Sequence, residues 1–102
     1  MKTIFILFIS AAALSLSMGA VAGGDAAAGK VKSANCAGCH GMNGKSTNPN
    51  NPNLAGQKEA YLIKATKDYR DGKRKDPMMN SMVSGLSDAD IANLAAFYSS
   101  IK

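Results

Sequence analysis

The sequence predicts an all-α domain: three main helices, joined by loops that wrap a central group. Three observations lead there. Ser87-Asp88-Ala89-Asp90-Ile91 opens a segment whose apolar residues recur at helical spacing as far as Ile101. In a second segment Tyr61, Ala65 and Tyr69 recur at i, i+4 and i+8. A third, Ala-rich segment runs into Cys36-Ala37-Gly38-Cys39-His40, where cysteines three apart share one helix face.

The chain opens with Met1-Lys2-Thr3, an apolar run from Ile4 to Ile9, an Ala- and Ser-rich stretch, and the exit Ala20-Val21-Ala22. A basic start, an apolar middle and a small-x-small exit are the three parts of a secretory signal peptide. Thr3 to Ala22 is also long enough to span a bilayer, but its dilution by Ala, Ser and Gly suits cleavage better. The reading is a cleaved signal over residues 1–22 and a single domain over residues 23–102, exported to the periplasm. So small a domain buries a modest fraction of its surface and needs a staple.

The first helix is expected from about residue 25 to 38. Asp25 is a fitting N-cap, and Ala27, Val31 and Ala34 form a face read as core contact. The Cys36–His40 run at its end is the attachment pattern of a c-type haem. Each thiol can add to a haem vinyl group, giving one haem held by two thioether bonds, with the His40 imidazole over the iron. Competing readings fail. A disulfide between Cys36 and Cys39 would close a loop too small to stabilise much. The strand-then-helix context of a thioredoxin-like pair is missing. Zinc wants four ligands, and the chain has two cysteines and one histidine.

Residues 41–56 are rich in Asn, Pro and Gly and read as a loop of turns. A loop of this length in a small domain needs something to wrap, and haem is the natural candidate. Leu54 is expected to point inward. Gln57 to Asp71 reads as the second helix, with Lys58, Lys64, Lys67 and Arg70 on its wet face and Gly72 as its stop. Residues 73–82 read as a second irregular stretch, carrying Met78, Met79 and Met82. The last helix begins at the Ser87 cap, with Leu86 stapling to Ile91. Ile91, Leu94, Ala95, Tyr98 and Ile101 form its apolar stripe, with Phe97 beside it, and this helix is expected to pack on the first one.

His40 is the only histidine, so two-histidine ligation within one chain is excluded. The sixth iron position then belongs to methionine, to a weaker donor such as lysine or asparagine, or to water. Met42 is too close in sequence to His40 to reach the opposite face. Met78, Met79 and Met82 can all close over it, and three methionines in five residues argue that at least one is a ligand. A thioether favours ferrous iron and raises the potential.

Four stretches together resemble the class I c-type cytochromes, in particular the small monohaem bacterial type and one domain of the two-haem bacterial cytochromes c. They are Cys36–Gly41, Pro52-Asn53-Leu54-Ala55-Gly56-Gln57, Asp76-Pro77-Met78-Met79-Asn80, and Leu86–Ile91 with Ala95, Ala96, Phe97 and Tyr98. The resemblance implies the cytochrome c fold. It implies Met79, eight residues before the Ser87 cap, as the sixth ligand. It implies that the Pro52 carbonyl meets the other ring nitrogen of His40 and fixes its orientation. It also implies that the first and last helices cross where Gly29 meets Phe97 or Tyr98. With one attachment motif, transfer between two haems inside this chain is excluded.

The function expected is a one-electron carrier with His40/Met79 ligation, a shuttle between redox proteins rather than an enzyme. A dedicated electron-transfer subunit of one dehydrogenase or oxidase is a second reading. A ligand-binding or peroxidatic haem protein is a third, disfavoured by the lack of a distal histidine. The net charge is +5. That fits acidic docking surfaces on redox partners, or weak association with an anionic membrane surface, and is far from the dense basic face of a nucleic-acid binder. A monomer is expected.

Overall fold

The computed structural model describes residues 24–102. The expected signal peptide, 1–22, lies outside the described residues. The elements in order are α1 (Ala26–Lys32), a 3₁₀ turn (Ser33–Asn35), α2 (Ala37–His40), α3 (Glu59–Arg70), α4 (Pro77–Val83) and α5 (Asp88–Ser99). The described residues contain no strand, in agreement with the all-α expectation. No described helix is long and apolar enough to cross a membrane.

The single helix expected over 25–38 is three pieces. Asp25 caps α1 as expected, accepting from the amides of Ala27 at 2.9 Å and Ala28 at 3.2 Å. The helix then tightens. The Ser33 hydroxyl donates to the Lys30 carbonyl at 2.6 Å, and the Cys36 amide donates to the Ser33 carbonyl at 2.8 Å. A short polar side chain that competes for backbone groups, followed by i→i+3 bonding, is a usual way for an α-helix to end. The buried face also differs from the expected one. Val31 is 79% exposed, whereas Gly29 and Ser33, one turn apart, are buried.

The reason is the crossing with α5. A Cβ on Gly29 would overlap the Asn93 carbonyl and lie 2.9 Å from the Phe97 Cβ. Gly24 is pressed in the same way against the Ala92 carbonyl. Helix α1 is therefore held by its backbone, and only a face without side chains can approach so closely. The crossing implied by the resemblance is present, with Phe97 as Gly29's partner.

Helix α5 begins with a complete capping box. The Ser87 hydroxyl accepts from the Asp90 amide at 3.0 Å, and the Asp90 carboxylate accepts from the Ser87 amide at 3.1 Å. The bond from the Ser87 amide is the main reason the Asp90 carboxyl sits below its usual range. The stripe on α5 is the core: Ile91, Leu94, Ala95 and Tyr98 are all buried, and Ile101 packs at the edge. Leu62 from α3 joins them, with Leu54, Leu86 and Phe97 around it. Leu54 thus points inward as expected.

Helix α3 ends at Asp71, and Gly72 takes φ +81° just beyond it. Arg70 does not belong to the wet face. Its guanidinium donates to Asp88 at 2.7 Å, to Asp71 at 3.0 Å and to the Leu86 carbonyl at 3.3 Å, tying the end of α3 to the start of α5. These bonds raise the arginine's affinity for its proton and lower the carboxyls of Asp71 and Asp88.

The stretch expected to be irregular over 73–82 contains helix α4. Asp76 caps it, accepting from the amides of Met78 and Met79 at 3.1 Å each, and Pro77 occupies its first turn. Asp followed by Pro is a helix-start signal, since Pro fits where an amide would have no partner anyway. Residues 41–56 do form a loop of turns. It is pinched at its base, where the Gly44 carbonyl accepts from the Leu54 and Ala55 amides, and held to α5 by the Gly56 amide on the Tyr98 carbonyl at 3.0 Å.

Candidate haem site

Between α2, the 41–56 loop, α3, α4 and α5 lies a cavity of about 380 Å³. The elements deliver different chemistry to it. From α2 and the residue before it come Cys36, Cys39 and His40; from α4 come Met78, Met79 and Met82. Helix α3 contributes Tyr61, Ala65 and Tyr69. The periodic stripe that marked this helix in the sequence therefore faces the cavity, not the protein's own core, and Tyr61 is 50% exposed.

His40 is 7% exposed, and its Nδ1 is 2.8 Å from the Pro52 carbonyl. A carbonyl can only accept, so Nδ1 carries the proton and donates it. Nε2 is then the unprotonated nitrogen, and it has no hydrogen-bond partner among the described residues. An imidazole fixed in one tautomer, with its lone pair free, is what a metal-ligating histidine requires. The wall behind it is braced. The Cys39 carbonyl accepts from the Asn51 amide group at 3.0 Å and from the Ser46 hydroxyl at 3.3 Å.

Both thiols are unpaired; Cys36 is half-buried and Cys39 exposed. Burial pushes the Cys36 thiol upward, with Tyr98 beside it working in the opposite direction. The Tyr98 hydroxyl is buried without a hydrogen-bond partner. It lies near Cys36 and Ser33 without well-formed hydrogen-bond geometry to either, and burial raises it to about 12.

Of the methionines that α4 brings to the cavity, Met79 is half-buried, whereas Met78 is 63% and Met82 45% exposed. Met42 is 85% exposed and does not border the cavity. Arg74 borders the cavity with its guanidinium carbon 4.5 Å from the centre of the Tyr69 ring. Nothing in spacing or composition marks an arginine stacked on a tyrosine five residues back.

The residues present fit a haem. The cavity offers aromatic and aliphatic walls to a flat macrocycle, two unpaired thiols, an imidazole whose Nε2 has no partner among the described residues, and thioethers from α4. Comparison with known proteins agrees. Residues 26–102 match the family described as cytochrome c. The chain belongs to the cytochrome c family. Its Cys-x-x-Cys-His run accordingly indicates one covalently bound c-type haem.

Among the relatives, cytochrome c4 of Pseudomonas aeruginosa is 49% identical over 89 residues, covering 87% of this chain and 44% of that protein. Cytochrome c-554(548) of Halomonas halodenitrificans is 51% identical over 80 residues, covering 76% of this chain and 96% of that one. Reduced recombinant cytochrome c4 from Pseudomonas stutzeri superposes with a TM-score of 0.74 at 44% identity, over 78% of this chain and 46% of the other. The chain thus spans less than half of the cytochromes c4 it matches and nearly all of cytochrome c-554(548). These relatives are bacterial proteins.

Proposed function

We propose that this protein is a one-electron carrier. The observation behind this reading is the convergence of four sulfur and nitrogen donors, Cys36, Cys39, His40 and Met79, on one cavity. The sulfurs of Cys36 and Cys39 would hold the haem through two thioether bonds, and His40 Nε2 and the Met79 sulfur would bind its iron. Pro52 holds the imidazole through Nδ1, so the ligand cannot rotate or change tautomer. The bound haem supplies the one-electron ferric/ferrous couple.

Each protein group then serves retention of a fixed geometry. With haem bound, the buried His40 and the methionines of α4 would shield the iron from water and small ligands. Asp76 borders the cavity, and its Oδ1 accepts from the Met78 and Met79 amides, which ties that carboxylate to the cap of α4. With a single histidine in the chain, no second imidazole is available for acid–base work of the peroxidatic kind. A carrier therefore suits these residues better than a catalyst.

The wider setting follows the same reading. Residues 1–22 are removed on export and residues 23–102 work in the periplasm. Redox partners with acidic docking surfaces meet a basic chain in brief encounters through small interfaces, and the carrier works as a monomer.

The ferric protein's visible spectrum tests the proposal. A methionine-to-iron charge-transfer band is expected, with slow or absent cyanide binding; the ferrous protein should likewise take up carbon monoxide slowly or not at all. Rapid uptake of either ligand by the native protein would overturn the carrier reading.

A further inference from the structure

We infer that the Asn80 carboxamide is a latch that holds the Met78–Met79 turn closed over the haem cavity; this rests on methionine ligation from that turn. Asn80 is half-buried, and its side chain makes three hydrogen bonds, each to a different piece of backbone. Its Oδ1 accepts from the Asp76 amide at 2.9 Å. Its Nδ2 donates to the Tyr69 carbonyl at 2.7 Å and to the Arg74 carbonyl at 2.9 Å. The partners dictate the orientation of the amide, since one is an N–H and two are carbonyls.

What these bonds join gives them their role. Tyr69 lies in the last turn of α3, and Arg74 lies in the connection that follows. Asp76 is the cap whose carboxylate holds the Met78 and Met79 amides. The backbone closes the same ring, with the Asn80 amide donating to the Asp76 carbonyl at 2.7 Å. Asp76 and Asn80 therefore clasp each other across the two methionines, and Nδ2 bolts that clasp to α3. Helix α3 is itself anchored to the core through Leu62. Without Nδ2, the methionine turn keeps its local cap but loses its side-chain fastening to the rest of the cavity wall. Asn80 is thus a positioning residue. It acts on the methionines through the turn and does not itself border the cavity.

The test is the rate at which the ferric holoprotein binds cyanide, read together with the methionine-to-iron charge-transfer band. Asn80→Leu keeps the size of the side chain and removes all three bonds. Ser87→Ala, which weakens the α5 capping box and leaves the three Asn80 side-chain bonds in place, serves as a control for general destabilisation. The latch predicts that N80L binds cyanide at least about tenfold faster than both the native protein and S87A, since losing one hydrogen bond's worth of closure is about tenfold in the open population. The band should weaken in N80L and stay intact in S87A. If N80L and S87A accelerate binding equally, or neither does, the latch is wrong. Should N80L fail to assemble, Asn80→Asp is read by the same criterion, because it keeps the acceptor toward Asp76 and loses both donors. Met79→Ala separates the two readings. Retention of the band there overturns Met79 as the ligand, while the N80L comparison still decides whether the turn is latched.

Discussion

The two walls of the cavity are built on different principles. The histidine wall has one solution. His40 is 7% exposed, its Nδ1 is committed to the Pro52 carbonyl, and the Cys39 carbonyl behind it is held by Asn51 and Ser46. The methionine wall is oversupplied. Three thioethers border the cavity, two of them largely exposed, on a seven-residue helix fastened by Asp76 and Asn80. The first wall is fixed by its own residues, whereas the second is fixed by what clasps its backbone. Failure should therefore take different forms: damage to the first wall loses the cofactor, and damage to the second lets other ligands in.

The contrast can be broken most completely at the thiols. With Cys36→Ser and Cys39→Ser combined, acid–acetone extraction should remove all haem from the protein, whereas the wild type retains it. Haem that stays after extraction would refute covalent attachment at these residues. Met79→Ala should strike only the other wall. The haem stays attached, the charge-transfer band disappears, and cyanide binds readily to the ferric form; an unchanged spectrum would move the ligand to Met78 or Met82. Gly29→Val sharpens the comparison by damaging the frame behind both walls. The added side chain meets the Asn93 carbonyl and Phe97, and overpacking of this kind costs about 1–3 kcal/mol or more in a denaturant titration. A stability equal to that of the wild type would show that the α1–α5 crossing is looser than described. Ser87→Ala removes one member of the capping box and should cost about 1 kcal/mol with no spectral change.

The smallest effect is expected from Tyr98→Phe, which removes a buried hydroxyl that has no partner. At neutral pH the change should be neutral or stabilising by up to about 1 kcal/mol. The difference appears in alkali. The phenol is raised from 10.0 to about 12 by burial. Its contribution is whole below the unfolded value and is lost as pH rises through the folded one. The wild type should therefore lose stability between about pH 10 and 12 more steeply than Y98F. Parallel profiles would mean that the hydroxyl is hydrated in solution.

Much of this was legible in the sequence because the signals were local. The Ser87 cap, the α5 stripe and the attachment run each sit within a few residues, and each lies where expected. The Gly29 crossing and the Pro52 contact to His40 came from resemblance alone, since nothing in a glycine or a proline names a partner 68 or 12 residues away. Misreadings arose where tertiary contact outweighed pattern. Val31 looked like core because α1 was read by its side chains, but α1 packs by its backbone at Gly29. Helix α4 was read as irregular because Pro77 and the methionines drew attention from the Asp76–Pro77 cap. Arg70 was placed on the wet face by its charge, but it reaches Asp88 and the Leu86 carbonyl 16 to 18 residues away.

The buried core also sets an order of events. Of the six buried hydrophobic residues among those described, Ile91, Leu94, Ala95 and Tyr98 come from α5. Gly24 and Gly29, which pack on the same helix at Ala92, Asn93, Ala96 and Phe97, lie about seventy residues earlier. Contacts so distant in sequence form late, because the intervening loop must close before they reward it. Most of the buried core is contributed by α5, so the docking of that one helix is what closes the domain.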